Sequence, residues 1–287
     1  MIVLRTVNAV LMILFPIAAA AFFINRYKSY WRLWIIGGSL FVISQLGHIP
    51  FNYFAGKILN NTNLVLWDRN QQILFNAVFL GLSAGVWEET SRYLGYKIWM
   101  KKPKLWREGF ILGLGHGSFE AIILGFLSLY VLLQMVAFKE TDLSLLVPLD
   151  QVDLTFRTIQ AYWNVDWYDS FLGIMERLLT IPIHVLISIL IIQVFKRSKL
   201  IWLFGAILFH ALIDASVVLL ISYSTIYITE GLLALFALTS IILIINLKDG
   251  VPISENGHAS PKFMSNKTDR TIELDDSLLD VDDSRFL

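Results

Sequence analysis

Apolar runs of about twenty residues recur along most of this sequence, and no other feature restricts the fold as strongly. A helix of about twenty apolar residues crosses the hydrocarbon core of a bilayer, with every backbone polar group satisfied inside the segment. Seven such segments are expected, over 7–25, 33–54, 70–96, 108–138, 171–195, 200–222 and 230–247. The fold class is therefore all-α, a polytopic membrane bundle, and residues 1–247 form one transmembrane helical domain. Composition agrees: 56% of residues are hydrophobic and 16% are charged, where soluble chains carry about 25% charged residues.

Lys and Arg in the loops set the expected orientation. Arg26, Lys28, Arg32, Lys97, Lys101, Lys102, Lys104, Arg107, Lys196, Arg197 and Lys199 fall on one side, and Arg5, Lys57, Arg69, Lys139 and Arg157 on the other. The first side is cytoplasmic by eleven to five, which puts the N-terminus outside and the C-terminus inside the cell membrane. A positive cluster follows the first apolar run instead of preceding it, so the run reads as a retained anchor and not a signal peptide. Between Lys139 and Ser170 the stretch DLTFRTIQAYWNVDWYDS mixes Trp and Tyr with charges and predicts an interfacial helix. Residues 248–287 are polar and end in ELDDSLLDVDDSRFL; they read as a disordered acidic cytoplasmic tail, with His258 remote from any chemistry.

Net charge is zero, so no basic surface points to nucleic acid. Cysteine is absent, which removes disulfides, thiolate metal sites and cysteine nucleophiles. Any metal site must be built from His, Asp and Glu. The third span carries Glu88, Glu89 and Arg92 in VWEETSRYLGY, the fourth His116 and Glu120 in GLGHGSFEA, the fifth His184, and the sixth His210 and Asp214 in FHALIDA. Counted from the cytoplasmic helix ends at about 1.5 Å per residue, these groups lie roughly 12 to 21 Å deep. Each acidic or basic group at a helix centre costs about 2.5–3.5 kcal/mol to insert. Gathered round a cation in one hydrated cavity they stabilise one another.

Spacing supports convergence. Glu88 and Arg92, His116 and Glu120, and His210 and Asp214 are each four residues apart, so each pair shares a helix face. Gly109, Gly113 and Gly117 form a small-residue stripe that allows another helix to approach closely. His48 reads as a helix–helix hydrogen bond. Glu176 and Arg177 read as structural, about 12 Å from the polar layer by the same rise.

Three imidazoles and several carboxylates, without thiolate, suit zinc. Zinc keeps an open position for water and makes that water acidic, and Glu88 or Glu89 fits the general base that takes the proton. No HExxH pattern is present, and no serine–lysine pattern stands out.

EETSR, the fourth-helix acid and HALID together resemble the EExxR or EExxK, FxxxE and HxxxD pattern of PrsW-type intramembrane metalloproteases, and are similar to the CAAX-processing and bacteriocin-processing (CPBP) proteases. The resemblance is nearest to the YhfC-like branch, over residues from about 80 to 220. It implies a catalytic group of Glu88, Glu89 and Arg92. The metal group it implies is drawn from His116, Glu120, His184, His210 and Asp214. His116 stands where FxxxE has Phe, which leaves open whether the fourth helix offers His, Glu or both. The expected function is an intramembrane zinc peptidase acting from the cytoplasmic half on a membrane protein or peptide substrate. The alternative is a metal-binding or ion-transporting membrane protein without peptidase activity.

Overall fold

The computed structural model describes residues 1–60, 66–101, 103, 105–139 and 141–248. Eight α-helices carry the fold, and no strand occurs among the described residues. They are α1 (Ile2–Arg26), α2 (Trp31–Asn60), α3 (Arg69–Ile98), α4 (Trp106–Lys139), α5 (Val152–Trp163), α6 (Leu172–Arg197), α7 (Ile201–Tyr223) and α8 (Ile226–Asn246). Six of them are long and apolar enough to cross a membrane: α1, α2, α4, α6, α7 and α8. The remaining long helix, α3, has 30 residues, ample length for a span. Its apolar character is diluted by the polar groups it carries inward, since Ser83, Glu88, Glu89 and Arg92 are all buried. The expected tail lies outside the described residues apart from Lys248.

Local chemistry sets several helix ends. Asp68 accepts a hydrogen bond from the Gln71 backbone N–H while the Gln71 side chain accepts one from the Asp68 N–H, a reciprocal cap that starts α3. Ser198, in the left-handed region at φ 54°, ends α6 and turns the chain within three residues into α7. The stretch between Lys139 and Ser170, expected to hold a helix, contains α5, which has 12 residues. It buries Ile159 and receives the Arg5 guanidinium at the Tyr162 carbonyl, 2.5 Å away.

Helix α4 runs through the middle, packed on α1, α2 and α6, while α3 packs chiefly on α7 and α2. Apolar side chains from both groups fill the interior, including Ile111, Leu114, Leu186 and Ile189 on one side and Leu112, Ile187, Ile191 and Ala206 on the other. Without a hydrophobic force between helices in lipid, close packing has to come from small residues. A Cβ on Gly113 would sit 2.6 Å from Val185 Cα, and one on Gly85 would sit 2.6 Å from the Ile207 carbonyl oxygen. These two glycines clamp α4 to α6 and α3 to α7, the pairs that carry the polar layer.

Candidate metal centre

The expected layer forms. Glu88, Glu89, Arg92, His116, His184 and His210 are all buried, contributed by α3, α4, α6 and α7. Glu88 is central. Its Oε2 lies 2.9 Å from His116 Nε2, and its Oε1 accepts a hydrogen bond of 2.9 Å from Gln45 Nε2 on α2. Glu89 turns the other way. Its Oε1 meets His210 Nδ1 at 2.7 Å and its Oε2 lies 2.9 Å from Arg92 Nη1. That second contact is an ion pair without hydrogen-bond alignment, and its attraction depends on distance.

The imidazoles stand side by side, with ring centroids 5.0 Å apart for His116 and His184 and 5.7 Å for His184 and His210. His184 Nε2 is 2.7 Å from Glu120 Oε2, and its Nδ1 is 3.4 Å from Arg92 Nη2. Arg177 Nη1 holds the other Glu120 oxygen at 2.5 Å, and its Nη2 pairs with Glu176. This corrects the expectation for Arg177: it is buried and bonded directly to a carboxylate of the layer, not set apart from it. Asp214 sits at the edge, 38% exposed by its side chain, with Oδ2 3.5 Å from His210 Nε2. His48 makes the expected link between helices, to Ser83 on α3 at 3.2 Å, and also contacts Asn52.

Two sets of three offer one ligand atom each, all within 4.8 Å of one another: Glu88, His116 and His184, and Glu88, Glu89 and His210. Ligand atoms about 2.1 Å from a tetrahedral zinc stand about 3.4 Å apart, so either set needs only a modest closure. The first set fits a metal better, because Glu89 in the second is already committed to Arg92. His184 is the member with both ring nitrogens engaged, and the longer contact to Arg92 is the one lost at least cost. His116 has no partner for its buried Nδ1, an unmatched group that a metal-free interior tolerates poorly. The charge count points the same way. Five carboxylates (Glu88, Glu89, Glu120, Glu176 and Asp214) stand with two guanidiniums (Arg92 and Arg177), an excess of negative charge that a bound cation reduces. Glu120 and Asp214, both named as ligands by sequence, fall outside the two sets and stand beside them.

Sequence reasoning missed Gln45. Its signal was a polar stripe on α2, Gln45, His48 and Asn52, at helical spacing in an otherwise apolar segment.

The layer borders a cavity of about 370 Å³ whose walls include Glu88, Glu120, His184, His210 and Asp214. A larger cleft of about 1060 Å³ lies between the end of α4 and α5, lined by Phe138, Phe156 and Asn164, and contains none of these groups.

A family model described as YhfC intramembrane metalloprotease matches residues 11–243. The chain is also 26% identical over 254 residues to the "Uncharacterized membrane protein YhfC" of Bacillus subtilis (strain 168), a match that covers 86% of this chain and 96% of that one. No solved structure matches.

Proposed function

The chain belongs to the YhfC intramembrane metalloprotease family, and we propose that it is a zinc peptidase that hydrolyses a membrane-associated or peptide substrate at the buried polar layer. The observation that carries this reading is the set of Glu88, His116 and His184. Three helices offer three ligand atoms within 4.8 Å in a buried interior. One carboxylate and two imidazoles form a donor set that zinc accepts in catalytic centres.

Zinc held by Glu88, His116 and His184 would supply Lewis acidity, which would polarise a peptide carbonyl and make water a nucleophile at neutral pH. The remaining residues orient and move protons. Glu120, anchored by Arg177, accepts the proton of His184 Nε2 in a hydrogen bond and fixes which nitrogen is free, a support that metal-binding histidines commonly have. Arg92 and His210 hold the Glu89 carboxylate in place behind Glu88. Of the carboxylates beside the imidazoles, Asp214 is the least committed, its one contact being His210 Nε2 at 3.5 Å, so its carboxylate takes the proton of the attacking water and returns it to the leaving amine. Glu88, one of the two glutamates expected from sequence as the base, has both oxygens engaged as a positioned ligand would. The bias of eleven to five Lys and Arg supports a cytoplasmic position for the Lys97–Arg107 and Lys196–Lys199 loops.

Metal content and cleavage, measured together, test the assignment. His184→Ala and Glu88→Gln should lose zinc and turnover, while Asp214→Asn should keep zinc and lose turnover. Zinc retained by Glu88→Gln with turnover gone would return Glu88 to the role of base and overturn the ligand set. Zinc bound by a wild-type protein that cleaves no membrane or peptide substrate would favour the alternative of a metal-binding membrane protein.

A further inference from the structure

We propose that the substrate chain reaches the polar layer from the end of the bundle that carries segment 141–171, opposite the Lys97–Arg107 loop, through a cavity open at that end only. The inference rests on the peptidase reading and adds the side of entry. It also adds the class of substrate: a short extended segment presented on the face with few basic residues.

The walls of the cavity carry the argument. Its lining on α2 is His48 and Asn52, beyond Gln45 towards the 60–69 connection. On α3 it is Leu80 and Ala84, which precede Glu88, and on α6 it is Glu176 to His184, the half nearest segment 141–171. On α7 it runs from His210 through Val218 to Ile221, and on α8 it begins at Ile226. Each helix therefore contributes residues between the polar layer and the same end, and none contributes a residue from the other half. Exposure rises along this path, from 5% at His210 to 56% at Ile221, as it does in a cavity that opens outwards.

The other half is closed. One to two turns beyond the layer towards the Lys97–Arg107 loop lie Tyr96, Leu112, Ile187 and Ile191, all fully buried. Tyr96 donates a hydrogen bond of 3.2 Å to the Ser188 carbonyl and ties α3 to α6 across the gap. A chain arriving from the basic side would have to displace this packed apolar floor. Depth counting along the sequence places the layer nearer the basic loops, yet its opening faces away from them. The volume of about 370 Å³ is at the lower end of ligand pockets. It has room for a few residues of extended chain and excludes a folded domain. With the orientation inferred from loop charge, the substrate segment is extracytoplasmic.

The protein contains no cysteine, so single cysteines report access in the intact membrane protein without background removal. Val218→Cys and Asn52→Cys place thiols on two different helices of the cavity wall, and Ser144→Cys and Lys97→Cys mark the two faces. A membrane-impermeant maleimide applied to intact cells and to inverted vesicles should label Val218→Cys and Asn52→Cys from the Ser144 face, with labelling lost from the Lys97 face. Labelling of both from the Lys97 face would overturn the proposal. Labelling from neither face would mean that no aqueous opening exists, and would overturn it too. Labelling from both faces would reveal a through-path and favour ion transport. None of these outcomes depends on cleavage or metal content, so failure here is separable from failure of the peptidase reading.

Discussion

Gly113→Ala adds one methyl group at the closest approach of α4 and α6, and the structure sets the size of its effect. The new Cβ would meet Val185 Cα at 2.6 Å, the His184 carbonyl oxygen at 2.7 Å and Ser188 Cβ at 2.8 Å, where ordinary contact begins near 3.4 Å. The deficit is about 0.8 Å, and the first two obstacles are backbone. No side chain can swing aside, so α6 itself must move. Overpacking of this kind costs about 1–3 kcal/mol. The residue pushed is His184, and misplacing a reacting group by about 1 Å can cost about 100-fold. Two controls calibrate the effect. A Cβ on Gly117 would lie 3.2 Å from His184 Cδ2 and 3.3 Å from Ile181 Cα, and one on Gly231 would meet nothing within 4 Å. Thermal unfolding in detergent and zinc titration read the series. Gly113→Ala should bind zinc roughly 5- to 150-fold more weakly, the equivalent of about 1–3 kcal/mol. Gly117→Ala, whose contacts need only a few tenths of an ångström of adjustment, should weaken zinc binding less, and Gly231→Ala should leave zinc affinity unchanged and raise Tm slightly, as alanine does in a helix interior. Wild-type Tm and zinc affinity for Gly113→Ala would refute the claim that this contact sets the position of His184.

Arg177→Met leaves the Glu120 carboxylate without its cation and should weaken zinc binding about 10- to 100-fold through the loss of a supporting partner. The same titration on Glu176→Gln, whose side chain is 44% exposed, should show a far smaller change. Chelation should lower Tm, and restored zinc at about 100 times its Kd should return about 2.7 kcal/mol; a Tm indifferent to both treatments would remove zinc from the fold. Lys101→Cys should react with an impermeant thiol reagent in inverted vesicles and not in intact cells, and the reverse would invert the orientation read from loop charge.

The helices were legible because lipid leaves the chain few choices. Apolar runs of spanning length become helices, and their limits fall near the expected ones, as with Leu172–Arg197 against 171–195. Helix α3 is the instructive case. By apolarity alone it falls short, yet its polar residues are buried and matched across α2, α4 and α7. The spacing of four in GHGSFE and HALID placed His116 beside the glycine stripe and His210 beside Asp214. The stripe itself predicted a close helix neighbour, and the structure identifies it as α6. The sequence pattern could not show how the carboxylates divide between imidazoles, because adjacent Glu88 and Glu89 point about 100° apart on a helix. That single angular step sends Glu88 to His116 and Glu89 to His210.

Arg177 shows why depth along a helix axis is a poor guide to membership of a buried site. Residues 177 and 184 differ by about 10.5 Å in rise, a separation that set Arg177 outside the layer. They are also seven residues apart, two turns, and therefore share a face. The partner on α4 closes the gap, since Glu120 gives one oxygen to Arg177 and the other to His184. A long side chain reaching along its helix and a carboxylate with two acceptors join groups that a count of residues separates. The cost of burying a charge enforces such links, because an ionised Glu120 at this depth without Arg177 would be an unpaired charge near lipid. An intramembrane metal centre is therefore expected to extend beyond its ligands until every carboxylate has a cation or a donor. Here that requirement carries the network from Gln45 on α2 to Glu176 at the mouth of the cavity.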